Sequence, residues 1–167
     1  EGQVMDKIFP VSKKYGAVVL VLAMDKNGVP QTAEKRFEVA KRIVERAGKY
    51  GIPRHKIMID TLVLTASAEQ SLVKETVKAL LLVKNLGVKT ALGVSNVSYG
   101  LPNRGLLNKT FLTMAMTCGL NMPIINPLDG EMTGAVKAFD VLSGIDKNSE
   151  KYIEEYKDYS AETSAVG

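Results

Sequence analysis

Hydrophobic positions along this chain fall into two alternating patterns. Four short runs are apolar at nearly every position: residues 17–24 (AVVLVLAM), 56–64 (KIMIDTLVL), 89–95 (KTALGVS) and 122–126 (MPIIN). Such runs, rich in Val, Ile and Leu, predict parallel strands covered on both faces. Between them the apolar spacing is helical. In residues 33–50, Phe37, Ala40, Ile43, Val44 and Ala47 form one stripe, with Thr32 placed as N-cap and Gly51 as stop. Further helices are predicted over 3–15, 71–86, 105–118 and 130–142, and each helix ends at a glycine: Gly16, Gly51, Gly87, Gly119 or Gly144.

Strand and helix therefore alternate every 30–40 residues or so, the mark of repeated βαβ units with right-handed crossovers. Two architectures use such units: a doubly wound open sheet and a (β/α)8 barrel. The turn after the first strand, Asp25-Lys-Asn-Gly-Val-Pro, carries neither G-x-G-x-x-G nor G-K-[ST], so the phosphate loop of an open nucleotide-binding sheet is not there. Polar residues instead collect where each strand ends: Asp25; Asp60, Thr61 and Thr65; Asn96; Asn126 and Asp129. Barrel enzymes assemble their sites on that face, so the pattern favours the barrel. A complete barrel needs eight units and typically about 250 residues. The four βα units here predict half of one.

Composition changes this picture little. The chain has 167 residues, 46% of them hydrophobic and 24% charged, as an ordinary globular protein does. No apolar tract could span a bilayer and nothing at the start reads as a secretory signal, so no membrane partner is expected. The net charge of +4 comes from lysines scattered over helix faces, which excludes nucleic acid as an expected partner but suits an anionic small substrate. A lone cysteine, Cys118, excludes an internal disulfide and fits a reduced, cytoplasmic setting; no metal site is expected. His55, the one histidine, lies in the turn before a strand and so on the face away from the polar cluster.

The stretch GVSNVSYGLPNRGLLNKTFLTMAMTCGLNMPIINPLDG, residues 93–130, resembles the last two strands of the pterin-binding barrel of corrinoid-dependent methyltransferases. That family includes the folate domain of cobalamin-dependent methionine synthase and the methyltetrahydrofolate:corrinoid/iron–sulfur protein methyltransferase. LAMDKNGVP and IDTLVL, the latter similar to the family's I-D-P-L-[IV]-L, extend the resemblance from the first residues to Ile145. The family's barrel has four earlier strands, so the resemblance implies a C-terminal half (about four βα units) of a TIM barrel of the dihydropteroate-synthase type over residues 1–145. A charged tail follows at 146–167, and its Tyr152, Ile153, Tyr156 and Tyr159 form a narrow stripe. Two readings stand for it: the start of a connection to a further domain, or an amphipathic helix.

The resemblance implies transfer of the N5-methyl group of methyltetrahydrofolate to a corrinoid (cobalamin) carried by a partner protein or domain. It makes Asn96 the catalytic residue, since an amide both accepts and donates and can follow N5 through a change of protonation. Asp60 would receive the pterin's N3–H and exocyclic amine in a fork. Arg104, delivered by the Gly100-Leu-Pro-Asn103 loop, would lie on the heterocycle; Asn103 would brace that loop or cap the helix at Gly105. Ser95 would hydrogen-bond locally and orient Asn96, and Asn126 would stand at the rim. Dihydropteroate synthase is the nearest rival, but its basic Ser-Arg-Lys and Arg-x-His positions are here Ser95-Asn96-Val97 and the 123–126 stretch. The other rival is a non-catalytic half-barrel that only assembles. Half a barrel leaves sheet edges unpaired, so the chain is expected to join its missing N-terminal half or to self-associate, and to be inactive alone.

Overall fold

The computed structural model describes residues 2–159. The elements follow in the order α1 (Gly2–Tyr15), β1 (Val19–Leu22), α2 (Ala33–Lys49), β2 (Ile57–Asp60), α3 (Gln70–Lys84), β3 (Lys89–Gly93), α4 (Arg104–Thr117), β4 (Met122–Ile124), α5 (Gly130–Leu142) and α6 (Glu150–Tyr156). They divide into two compact units, Glu1–Ile125 and Asn126–Gly167.

In the first unit the strands form one parallel sheet in the order β1-β2-β3-β4. Strand and helix alternate throughout, the arrangement of a half-barrel. The register sets Leu22 beside Asp60, Asp60 beside Ala91, and Ala91 beside Met122, so these four residues form one row on one face. Side chains alternate along a strand, so Leu20, Gly93 and Ile124 share that face. The other face packs against helices: Val19, Ile57 and Ile59 join Val39, Ile43 and Val83 in the core.

The two faces differ sharply in burial. The pattern of the runs predicted apolar cover on both sides. Among the described residues, however, Leu20 is 47%, Leu22 41%, Met122 44% and Ile124 50% exposed. This is the face that would line the interior of a closed barrel.

The helices lie where the apolar spacing put them. Thr32 caps α2, its Oγ1 accepting from Lys35 N–H at 3.4 Å. α1 is fastened to α2 by Asp6, which accepts from Arg46 Nε (2.9 Å) and Tyr50 OH (2.7 Å), and by Phe9, set edge-on to Tyr50. The strands are shorter than their apolar runs. The third stops at Gly93, and Val94–Ser98 is a 3-10 turn. Ser95 and Asn96 thus belong to a tight turn, not to the strand.

In the second unit Asp129 caps α5, its Oδ1 accepting from Glu131 and Met132 N–H. α6 pairs with α5 through the Lys137–Glu155 ion pair, and Lys137 Nζ also lies 5.9 Å from the Tyr156 ring. The rings of Tyr152, Tyr156 and Tyr159 contact in series, while Ile153 is exposed. The remainder of the tail, 160–167, lies outside the described residues.

Gly119, at the end of α4, has φ 101 and stands where an added Cβ would meet Lys84 Cδ at 2.8 Å. The lysine can swing aside, but the backbone cannot, so Gly119→Ala should destabilise the fold by about 1–2 kcal/mol. Gly48, inside α2, has nothing within 4 Å of an added Cβ. Gly48→Ala should stabilise by roughly 0.5–1 kcal/mol. Urea denaturation followed by circular dichroism measures both, and equal signs would contradict this account.

Candidate functional site

Asp60 closes β2 on the exposed face of the sheet and is itself 7% exposed. Directly after it the chain turns at Leu62, whose φ of 60 is unusual for a branched side chain. The turn brings Leu62 N–H to Asp60 Oδ1 at 2.8 Å. Oδ2 has no hydrogen bond among the described residues. The neighbouring backbone amide thus accounts for one oxygen of the carboxylate and leaves the other open.

The neighbouring strand, β3, ends in the 3-10 turn. Asn96 is exposed there, and its amide makes no hydrogen bond among the described residues. Its Nδ2 stands 3.5 Å from where a Cβ on Gly93 would be, which sets it over the face that Asp60 occupies. Asp60 and Asn96 therefore sit at the same end of the sheet and on the same side. That juxtaposition is what one shared ligand requires.

Arg104 begins α4 and turns its guanidinium back onto its own loop. Nε donates to Ser98 Oγ at 3.0 Å and Nη2 to Ser95 O at 2.9 Å, with the Tyr99 ring 6.0 Å away. The local bonding expected of Ser95 is made by its carbonyl, not its hydroxyl, and the side chain that does the work is the buried Ser98. Ser98 Oγ accepts from Arg104 and donates to Ser95 O at 3.3 Å. Its signal in the sequence was the S-N-V-S repeat, since residues three apart stack in a 3-10 turn. Asn103 occupies the N-cap position, but in a left-handed conformation without a side-chain capping bond.

The loops after β2 and β3 are stitched together. Ala66 N–H donates to Val97 O at 2.9 Å, and the hydroxyls of Thr65 and Ser67 both donate to Tyr99 O, at 2.6 and 2.8 Å. Gly100, with φ 79, passes where an added Cβ would come within 3.2 Å of Ser67 Oγ. Asn126 lies in the second unit, where its Oδ1 accepts from Leu128 N–H at 3.1 Å in a local turn. His55 lies in the turn before β2, at the opposite end of that strand from Asp60. Among the described residues no group of three His, Cys, Asp or Glu could hold a metal ion, and no helix is long and apolar enough to cross a membrane.

Burial pushes the Asp60 carboxyl above the usual carboxylate range, and the Leu62 N–H pulls partly the other way. The sign of the consequence follows from linkage. Between the unfolded pKa and the raised folded one, the native state holds more protons, so stability falls as pH rises through that window. An amide removes the titration and can still accept from Leu62 N–H. Asp60→Asn should therefore melt higher than wild type at neutral pH, with the gap closing as pH falls toward 4, near the ordinary carboxylate value. Thermal melts across that range check it, and a gap independent of pH would contradict it.

The family of pterin binding enzymes matches residues 2–126, a segment that holds Asp60, Ser95, Asn96, Arg104 and Asn126. A methylcorrinoid:tetrahydrofolate methyltransferase of Eubacterium limosum is 31% identical over 161 residues, 94% of this chain and 59% of that protein. The methionine synthases of Mycobacterium tuberculosis (strain ATCC 25618 / H37Rv) and Mycobacterium leprae (strain TN) are 33% and 32% identical over 129 residues, 72% of this chain in each case. The chain spans only 11% of each of those synthases. With the half-barrel, the open carboxylate and the open amide in place, the match over residues 2–126 makes this chain a member of the pterin binding enzyme family.

Proposed function

We propose that the chain forms part of a methyltetrahydrofolate-binding methyltransferase, the C-terminal half of its pterin barrel. The observation that carries this reading is a pair of groups on one face without a protein partner among the described residues: the second oxygen of Asp60 and the side-chain amide of Asn96. The Asp60 carboxylate receives the N3–H and exocyclic amine of the pterin, which fixes the ring in plane. Asn96 meets N5, accepting or donating as the nitrogen's protonation changes, so the amide follows N5 through proton uptake and loss of the methyl group without itself becoming charged. Arg104 braces the turn that carries Asn96, and its planar group, held at its edge by Ser98 and Ser95, keeps a flat face for the heterocycle. A corrinoid held by a partner protein or domain would supply the cobalt that accepts the methyl group. The name of the Eubacterium relative writes the transfer in the other direction, from methylcorrinoid to tetrahydrofolate. A reaction and its reverse share one transition state, so these contacts serve both.

The exposed row of Leu20, Leu22, Met122 and Ile124 favours assembly with a complementary half-barrel, or with a second copy, in a reduced cytoplasmic setting. Alone, the chain should sediment as a dimer or larger species with little or no methyl transfer. A sharp monomer boundary, or turnover by the chain alone, would overturn this part.

In the assembled protein, Asn96→Ala should weaken methyltetrahydrofolate binding in calorimetry and lower kcat by more, about 10²–10³-fold, as loss of one aimed donor does. Unchanged kcat would remove Asn96 from the chemistry.

A further inference from the structure

One buried charge has no part in the scheme above. Arg36 lies on α2 with no exposed surface, among the largest fully buried side chains. Its Nε donates to Pro30 O at 2.7 Å. Its Nη1 donates to Leu62 O (2.9 Å), Thr61 O (3.3 Å) and Thr76 Oγ1 (2.8 Å). Nη2 is buried with no partner. The nearby carboxylate is Glu75, which is itself shared with Ala33 N–H (2.8 Å) and Lys78 Nζ (2.7 Å). A buried guanidinium with an unpaired nitrogen is a poor source of stability, and an apolar side chain of similar volume commonly serves a core as well or better. Its retention calls for another reason.

The reason lies in what Nη1 holds. Leu62 adopts φ 60, a conformation that a leucine keeps only when its surroundings over-determine it. The Leu62 carbonyl is gripped by Arg36 Nη1 and by Thr76 Oγ1 at 3.2 Å, and its N–H points at Asp60 Oδ1. We propose that Arg36 is a positioning residue: it locks the Thr61–Leu62 turn so that the Leu62 amide holds one oxygen of Asp60 and leaves the other facing the ligand. Its functional consequence rests on the reading of Asp60 as the pterin-binding carboxylate. The locking itself does not.

The groups that act on Asp60 are few. Burial raises its pKa and the Leu62 N–H lowers it. If Arg36 fails to hold Leu62, the lowering contact is lost. Carboxyl carbon NMR of the whole chain should then show Asp60 titrating at higher pH in Arg36→Met, with circular dichroism unchanged and methyltetrahydrofolate affinity down about tenfold or more. Arg36→Lys, which keeps a charge and a donor, should fall between. Adding Leu62→Gly to Arg36→Met is the decisive arm, because glycine takes φ 60 without strain. The double variant should move the Asp60 titration back toward wild type, which restoring no charge could otherwise do.

A folded Arg36→Met with wild-type Asp60 titration overturns the proposal, as does failure of glycine to restore it. Should Arg36→Met not fold, Thr76→Val and Arg36→Lys carry the test, and wild-type titration in both overturns it. If wild type itself binds no methyltetrahydrofolate, the functional reading fails while the titration arms still decide the role of Arg36.

Discussion

The register between parallel strands is the constraint from which the rest of this structure follows. Pairing Leu22 with Asp60 and Asp60 with Ala91 fixes which side chains face the helices and which face away. A slip of one residue would turn Asp60 into the helix-packed core and Ile59 out of it. The core against α2 and α3 therefore specifies the site indirectly: burying Ile57 and Ile59 on one side leaves the carboxylate no choice but the other. The same alternation sets Gly93 beside the Asn96 amide, whose Nδ2 stands 3.5 Å from where a Cβ would be.

Much of the fold was legible because helices announce themselves by their stripe and their end. Thr32 and the glycines closing each helix bounded the helices within a residue or two. Strand lengths were less legible, for a physical reason. Apolar runs report burial, not pairing, and Ala23, Val63, Val94 and Val97 are buried beyond the last residues of their strands. Asp60 and Asn96 stood out as polar residues ending apolar runs. Ser98 showed only as the local S-N-V-S spacing, and Arg36 did not stand out, because its acceptors Thr61, Leu62 and Thr76 lie far from it in sequence. Arg36 left one trace: it lies three residues after Ala33 and four before Ala40, on the buried stripe where a charge does not belong.

The second unit shows the reverse balance. Its tyrosine stripe was visible in the sequence, and the Tyr152 and Tyr156 rings meet at 4.5 Å with tilted planes while Lys137 ties α6 to α5. Gly134 admits the Tyr156 hydroxyl to 3.2 Å of where a Cβ would stand, a contact that no spacing rule would indicate.

The stitching of the 65–67 loop to the 97–99 turn bears on the thermodynamics of recognition. Backbone that is already hydrogen-bonded to a neighbouring loop has surrendered its freedom during folding. On the function proposed above, a flat heterocycle entering between such loops would meet walls that need no further ordering, so the entropic toll of association would fall on the small molecule. Rigidity acquired during folding would thereby become affinity at the rim.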